Sequence, residues 1–82
     1  SGNGVDMVAN RFLRVRAIIG FNDEVTVQGR EHEDANVLVL PVNWLTTEQA
    51  IERLRLFFST EANNNERYVR RRMRMANMRV NL

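Results

Sequence analysis

Over residues 12–20 the chain alternates. Leu13, Val15, Ala17 and Ile19 fall on one side, and Phe12, Arg14, Arg16 and Ile18 on the other. A period of two with β-branched residues predicts a strand with one buried face. Gly20 to Asp23 are turn-forming residues. Residues 24–28 alternate again, with Val25 and Val27 on one face, so the two runs together predict an antiparallel hairpin. Residues 29–36 are polar and read as a loop. Residues 37–42 are apolar on both faces, as in a central strand covered on both sides. Pro41 removes one ladder donor and limits how far that strand can pair.

After Trp44 the period changes to that of a helix. Thr46 and Gln49 stand in capping-box spacing, with Leu45 and Ala50 at the hydrophobic-staple positions. Ala50, Ile51, Leu54, Phe57 and Phe58 then form one apolar face, which predicts a helix over 47–59 with Trp44 packed against it. Asn63-Asn64-Asn65 interrupts the pattern, because Asn competes for backbone hydrogen bonds, and Asn63 with Glu66 can form a second capping box. Residues 65–79 predict a second helix through Val69, Met73, Ala76 and Val80. Strict alternation at Arg72-Met73-Arg74-Met75 leaves a strand pair turning at Ala76-Asn77 as the alternative. The expected fold is therefore α+β: a three-stranded antiparallel sheet (12–20, 24–28, 37–42) followed by two helices. The alternative is a β-grasp-like arrangement with strands after the 47–59 helix.

Composition narrows the class. Eighty-two residues make one small domain, and Ser1 to Asp6 read as a linker ahead of a domain over 7–82. No cysteine is present, so disulfides and thiolate metal sites are excluded. No apolar run spans a bilayer and no signal peptide opens the chain, which points to an intracellular protein of cytoplasm or nucleus. All twelve basic residues are arginine. The net charge of +2 is unevenly placed, with Asp23, Glu24, Glu31, Glu33 and Asp34 in the first half and Arg67, Arg70, Arg71, Arg72, Arg74 and Arg79 in the last sixteen residues.

Candidate chemistry is sparse. Glu31-His32-Glu33-Asp34 offers carboxylates and the chain's one imidazole, yet a stable metal site needs three or four converging ligands, so no metal and no cofactor is expected. No nucleophile-and-base set and no glycine-rich phosphate loop can be placed, so the expectation is that the chain is not an enzyme. The reading is a non-catalytic protein–protein interaction module that self-associates as a homodimer or higher oligomer. Its partner-binding residues are Arg70, Arg71, Arg72, Arg74, Met75, Met78 and Tyr68, with Glu31, Glu33 and Asp34 pairing to the arginines between subunits and Val80 and Leu82 adding apolar contact. An acidic protein is the other partner of this kind. The alternative is binding of RNA or another nucleic acid through the arginine-rich segment 67–79, with Tyr68 stacking on a base.

Overall fold

The structure is a computed structural model and describes residues 1–78. Its elements run α1 (Asn3–Ala9), β1 (Ala17–Ile19), α2 (Asp23–Glu33), β2 (Val37–Val39), α3 (Thr47–Ser59) and α4 (Glu66–Ala76). The two strands lie side by side and parallel, with Ala17, Ile18 and Ile19 opposite Val37, Leu38 and Val39. They are joined through α2, so the unit is strand, crossover helix, parallel strand. Parallel strands need such a crossover, since a tight turn can only reverse the chain.

This overturns the expected three-stranded antiparallel sheet. Residues 24–28, expected as a strand, lie inside α2. The helix starts because Asn22, in extended conformation, accepts a hydrogen bond from the Val25 N–H at 2.8 Å, with Asp23 and Glu24 in the first turn. Its buried positions are Thr26 and Gly29, while Val25 stays exposed. A β-carbon on Gly29 would overlap the Ile18 side chain. The helix approaches the sheet through small residues, and apolar periodicity does not report that kind of face.

β1 is also shorter than the alternation of 12–20 predicts. Asn10 donates its amide to the Ala17 carbonyl at 3.0 Å and accepts from the Ala17 N–H at 2.7 Å. Asn36 likewise accepts from the Arg16 N–H at 2.7 Å and donates to the Arg14 carbonyl at 2.8 Å. Two side-chain amides thus satisfy the backbone that leads into the strand, and ladder pairing begins only at Ala17. Residues 1–6, expected above as linker, carry the cap and first turn of α1; the cap Gly2 and the helix positions Asp6 and Ala9 are half-buried.

The 47–59 helix forms with the expected capping box. The Gln49 N–H donates to Thr46 Oγ1 at 3.1 Å and the Thr46 N–H to Gln49 Oε1 at 2.9 Å. It packs on α2 through Arg53, buried, whose guanidinium pairs with Asp23, and through Phe57, buried beneath the Arg30 guanidinium at 5.4 Å. Trp44 is not packed against it; the residue is 69% exposed. The second helix, expected over 65–79, spans Glu66–Ala76, so neither the strand pair nor the β-grasp-like alternative forms among the described residues. Its cap is Asn65, which accepts from the Arg67 N–H at 3.2 Å, rather than Asn63. Arg79, Val80 and Leu82 lie outside the described residues. The buried apolar residues are Ala35, Val39, Phe57 and Tyr68, with Pro41 and Thr26 enclosed beside them.

Candidate functional site

Two places in this frame gather polar and unusual residues, and they stand at opposite ends of the strands. The first is at the carboxyl ends. Gly2 holds φ 88°, a left-handed conformation that favours glycine, and this sets α1 directly on the strand ends. A β-carbon there would come within 2.8 Å of Val39 Cγ1, 3.9 Å of Pro41 Cα and 4.0 Å of Ile19 Cγ2. Gly20, buried, makes an equally close turn after β1, where a β-carbon would meet Leu38 Cδ1 at 2.8 Å. One turn into α1, Asp6 Oδ1 is enclosed without a hydrogen-bond partner. Around these tight turns stand exposed apolar side chains: Phe21 after β1, Val42 and Trp44 after β2, and Val5 on α1.

The second place is cationic and lies where α2 ends, at the amino end of β2. His32 stacks on Tyr68, with ring centroids 4.6 Å apart and planes 9° apart. Arg67 and Arg71, one helical turn apart on α4, both lie over the Tyr68 ring, at 4.7 and 5.8 Å. Arg72 donates to the carbonyls of His32 at 3.0 Å, Glu31 at 3.2 Å and Asn63, and to Asn64 Oδ1 at 3.2 Å. It clasps α4 to α2.

The residues singled out for partner binding therefore divide. The acidic run and the arginines do meet, but within one chain, and Arg72 uses backbone carbonyls rather than the carboxylates of Glu31 and Glu33. Asp34, with φ 52° at the end of α2, is held by Arg16 and Arg30, each at 3.4 Å. Arg67, Arg70, Arg71 and Arg74 are exposed, as are Met75 and Met78. Tyr68 is buried, sandwiched between His32 and the two guanidinium groups, so it offers no free ring face to a base. No helix among the described residues is long and apolar enough to cross a membrane.

A parallel strand–helix–strand unit with tight glycine turns at the carboxyl ends is the Rossmann-like arrangement of open α/β proteins, in which ligands bind beyond those ends. The chain belongs to the Ribose/Galactose Isomerase family, whose profile matches residues 1–75. It is similar to the type B ribose 5-phosphate isomerase of Trypanosoma brucei, with TM-score 0.90 and 28% identity over 93% of this chain and 51% of that one. The ribose 5-phosphate isomerase of Thermotoga maritima matches with TM-score 0.89 and 28% identity over 95% of this chain and 53% of that one. The ribose-5-phosphate isomerase B of Mycoplasma genitalium with bound ribulose-5-phosphate matches with TM-score 0.85 and 28% identity over 92% and 49%. The chain thus spans about half the length of these solved relatives. Comparison with curated proteins gives no match.

Membership of an isomerase family overturns the reading of a non-catalytic, self-associating interaction module with nucleic-acid binding as its alternative, and with it the exclusion of enzymes. That reading rests on side chains with reactive groups, whereas the candidate site is built on the Gly2-Asn3-Gly4 run, expected above as linker. Two glycines flanking an Asn just before an amphipathic stretch are a signal for a tight turn into a helix, and that signal was present in the sequence.

Proposed function

We propose that this chain forms part of an aldose–ketose isomerase acting on a phosphorylated pentose. The observation that carries this reading is the overlay of 92–93% of the chain, its strand–helix–strand unit included, on solved ribose 5-phosphate isomerases, one of them holding ribulose-5-phosphate. Interconversion of an aldose and a ketose moves one proton between neighbouring carbons and needs no net oxidant. A protein must supply a positioned acid–base group, donors for the charge that develops on oxygen, and a site that keeps water from the intermediate. The glycine turns at the strand ends let substrate approach the backbone closely. The exposed arginines of α4 add a positive field suited to a phosphate dianion.

The test is direct. The full-length protein containing this chain is incubated with ribose 5-phosphate, and ketose formation is followed by proton NMR. Ribulose 5-phosphate appearing at a rate proportional to enzyme supports the reading. No ketose from ribose 5-phosphate, in a sample whose circular dichroism shows it folded, overturns it.

A further inference from the structure

The chain's one tryptophan stands out of place. Trp44 stands just before the best helix signal in the sequence and would ordinarily be covered by that helix, yet it is 69% exposed. It is not at the tip of a loose loop. Its backbone N–H donates to the Pro41 carbonyl at 2.9 Å, closing a turn just past the carboxyl end of β2, and Pro41 itself is fully buried. Phe21, 60% exposed, lies two residues past the end of β1. Val42 and Val5 add exposed apolar surface at the same end. Three separate segments thus each present apolar side chains around the strand ends, where polar residues would be expected at turns.

From this we infer that Trp44, with Phe21 beside the other strand end, forms the apolar wall of the substrate pocket, and that the indole face lies against the carbon chain of a pentose phosphate. The inference rests on the isomerase reading. Its physical basis is that small-ligand pockets are lined mainly by apolar and aromatic groups with a few polar ones fixing orientation. A wall of this kind also excludes water from the enediol intermediate, whose reactive carbon would otherwise exchange protons with solvent. Trp44 is a positioning and specificity residue here, and the proton transfer itself falls to other groups.

The experiment uses the full-length protein, its Trp44→Phe and Trp44→Ala variants, and two probes, ribose 5-phosphate and the non-isomerisable alcohol ribitol 5-phosphate. Ribitol 5-phosphate should shift the emission of the unaltered protein to shorter wavelength, and the part of that shift that depends on Trp44, read as the difference from each variant, should be missing in both variants. With ribose 5-phosphate, Trp44→Ala should raise KM about tenfold, the loss expected for one aromatic contact, while Trp44→Phe should keep most of the affinity. A rise in KM that Trp44→Phe does not rescue, with no shift in emission, would mean a purely structural role and overturns the inference. Unchanged KM in both variants and no Trp44-dependent emission change likewise overturn it, while turnover by the unaltered protein would leave the isomerase reading standing. Emission change without turnover would sink the isomerase reading and keep Trp44 in a sugar-phosphate pocket. Neither turnover nor emission change sinks both.

Discussion

Gly29 shows how one residue sets the distance between layers. Its missing side chain lets α2 lie on Ile18, and Gly29→Ala puts a methyl group into that contact. Overpacking of this kind costs about 1–3 kcal/mol. The variant is expected to melt several degrees lower, read by circular dichroism, and an unchanged melting temperature would mean the helix simply shifts outward. Thr46 acts through the capping box, so Thr46→Ala should cost about 1 kcal/mol in urea unfolding. Glu52 is a gentler case. Arg55, forked onto its carboxylate with Nε at 3.0 Å, holds the Glu52 carboxyl below its ordinary value. A lowered folded value means that the stabilisation is present above the ordinary carboxylate range and is lost as pH falls through the lowered value. Because the pair is exposed, Glu52→Gln should differ only slightly from the parent at neutral pH. That difference should close on acidification, measured as melting temperature against pH.

Among the elements, α4 depends most on a single side chain. Its sequence is strongly amphipathic, yet Tyr68 is its one buried residue, and Arg72 reaches four acceptors on α2 and the 63–64 turn. A guanidinium in that network contributes roughly 1.5–3 kcal/mol per well-made charged bond before desolvation is subtracted. Arg72→Ala should therefore speed hydrogen exchange across Glu66–Ala76 while leaving α3 protected. Equal acceleration in both helices would show that α4 opens only with the whole domain. The α2–α3 pair is held differently, by Phe57 and by the buried Arg53 on Asp23, and does not rely on α4.

The whole molecule is thin. Its extents are 38 × 32 × 15 Å and its radius of gyration is 13.3 Å, against about 12 Å for a closed domain of this length. Such a slab leaves Phe12, Leu13 and the apolar residues of α1 in the open. It also separates the glycine turns at one end of the strands from the arginines at the other. Under the proposed isomerase reading the positive groups of α4 would act only at long range, by attracting a phosphorylated substrate through their field, so reversing Arg67 and Arg71 to Glu should raise KM for ribose 5-phosphate and flatten the salt dependence of kcat/KM. An unaltered salt dependence would show that these two side chains do not meet the dianion's charge.

Legibility followed the range of the forces involved. Where a pattern is local, the residues alone were enough: Thr46 and Gln49 close a box within four residues, and α4 follows as a helix within 65–79; the buried face of α3 was not local, since it is Arg53 and Phe57 while Ile51, Leu54 and Phe58 of the expected apolar stripe stay exposed. Of the apolar run at 37–42 only Val37–Val39 became a strand, with Val39 buried, while Pro41 is enclosed in the turn that follows and Val42 stands exposed. What the residues could not decide was direction and partner. Val25 and Val27 alternate as a strand would, yet a helix wins because Asn22 caps it and Gly29 fits against Ile18, a contact between residues eleven apart. The strands are parallel because that helix occupies their connection. Trp44 was expected against α3, yet it stands exposed in the turn that its backbone N–H closes onto Pro41. The site was less legible still, since it is made of glycine turns and backbone proximity, Gly2 against Val39 and Pro41. Their meaning comes from residues 37 or more positions away, which only folding brings together.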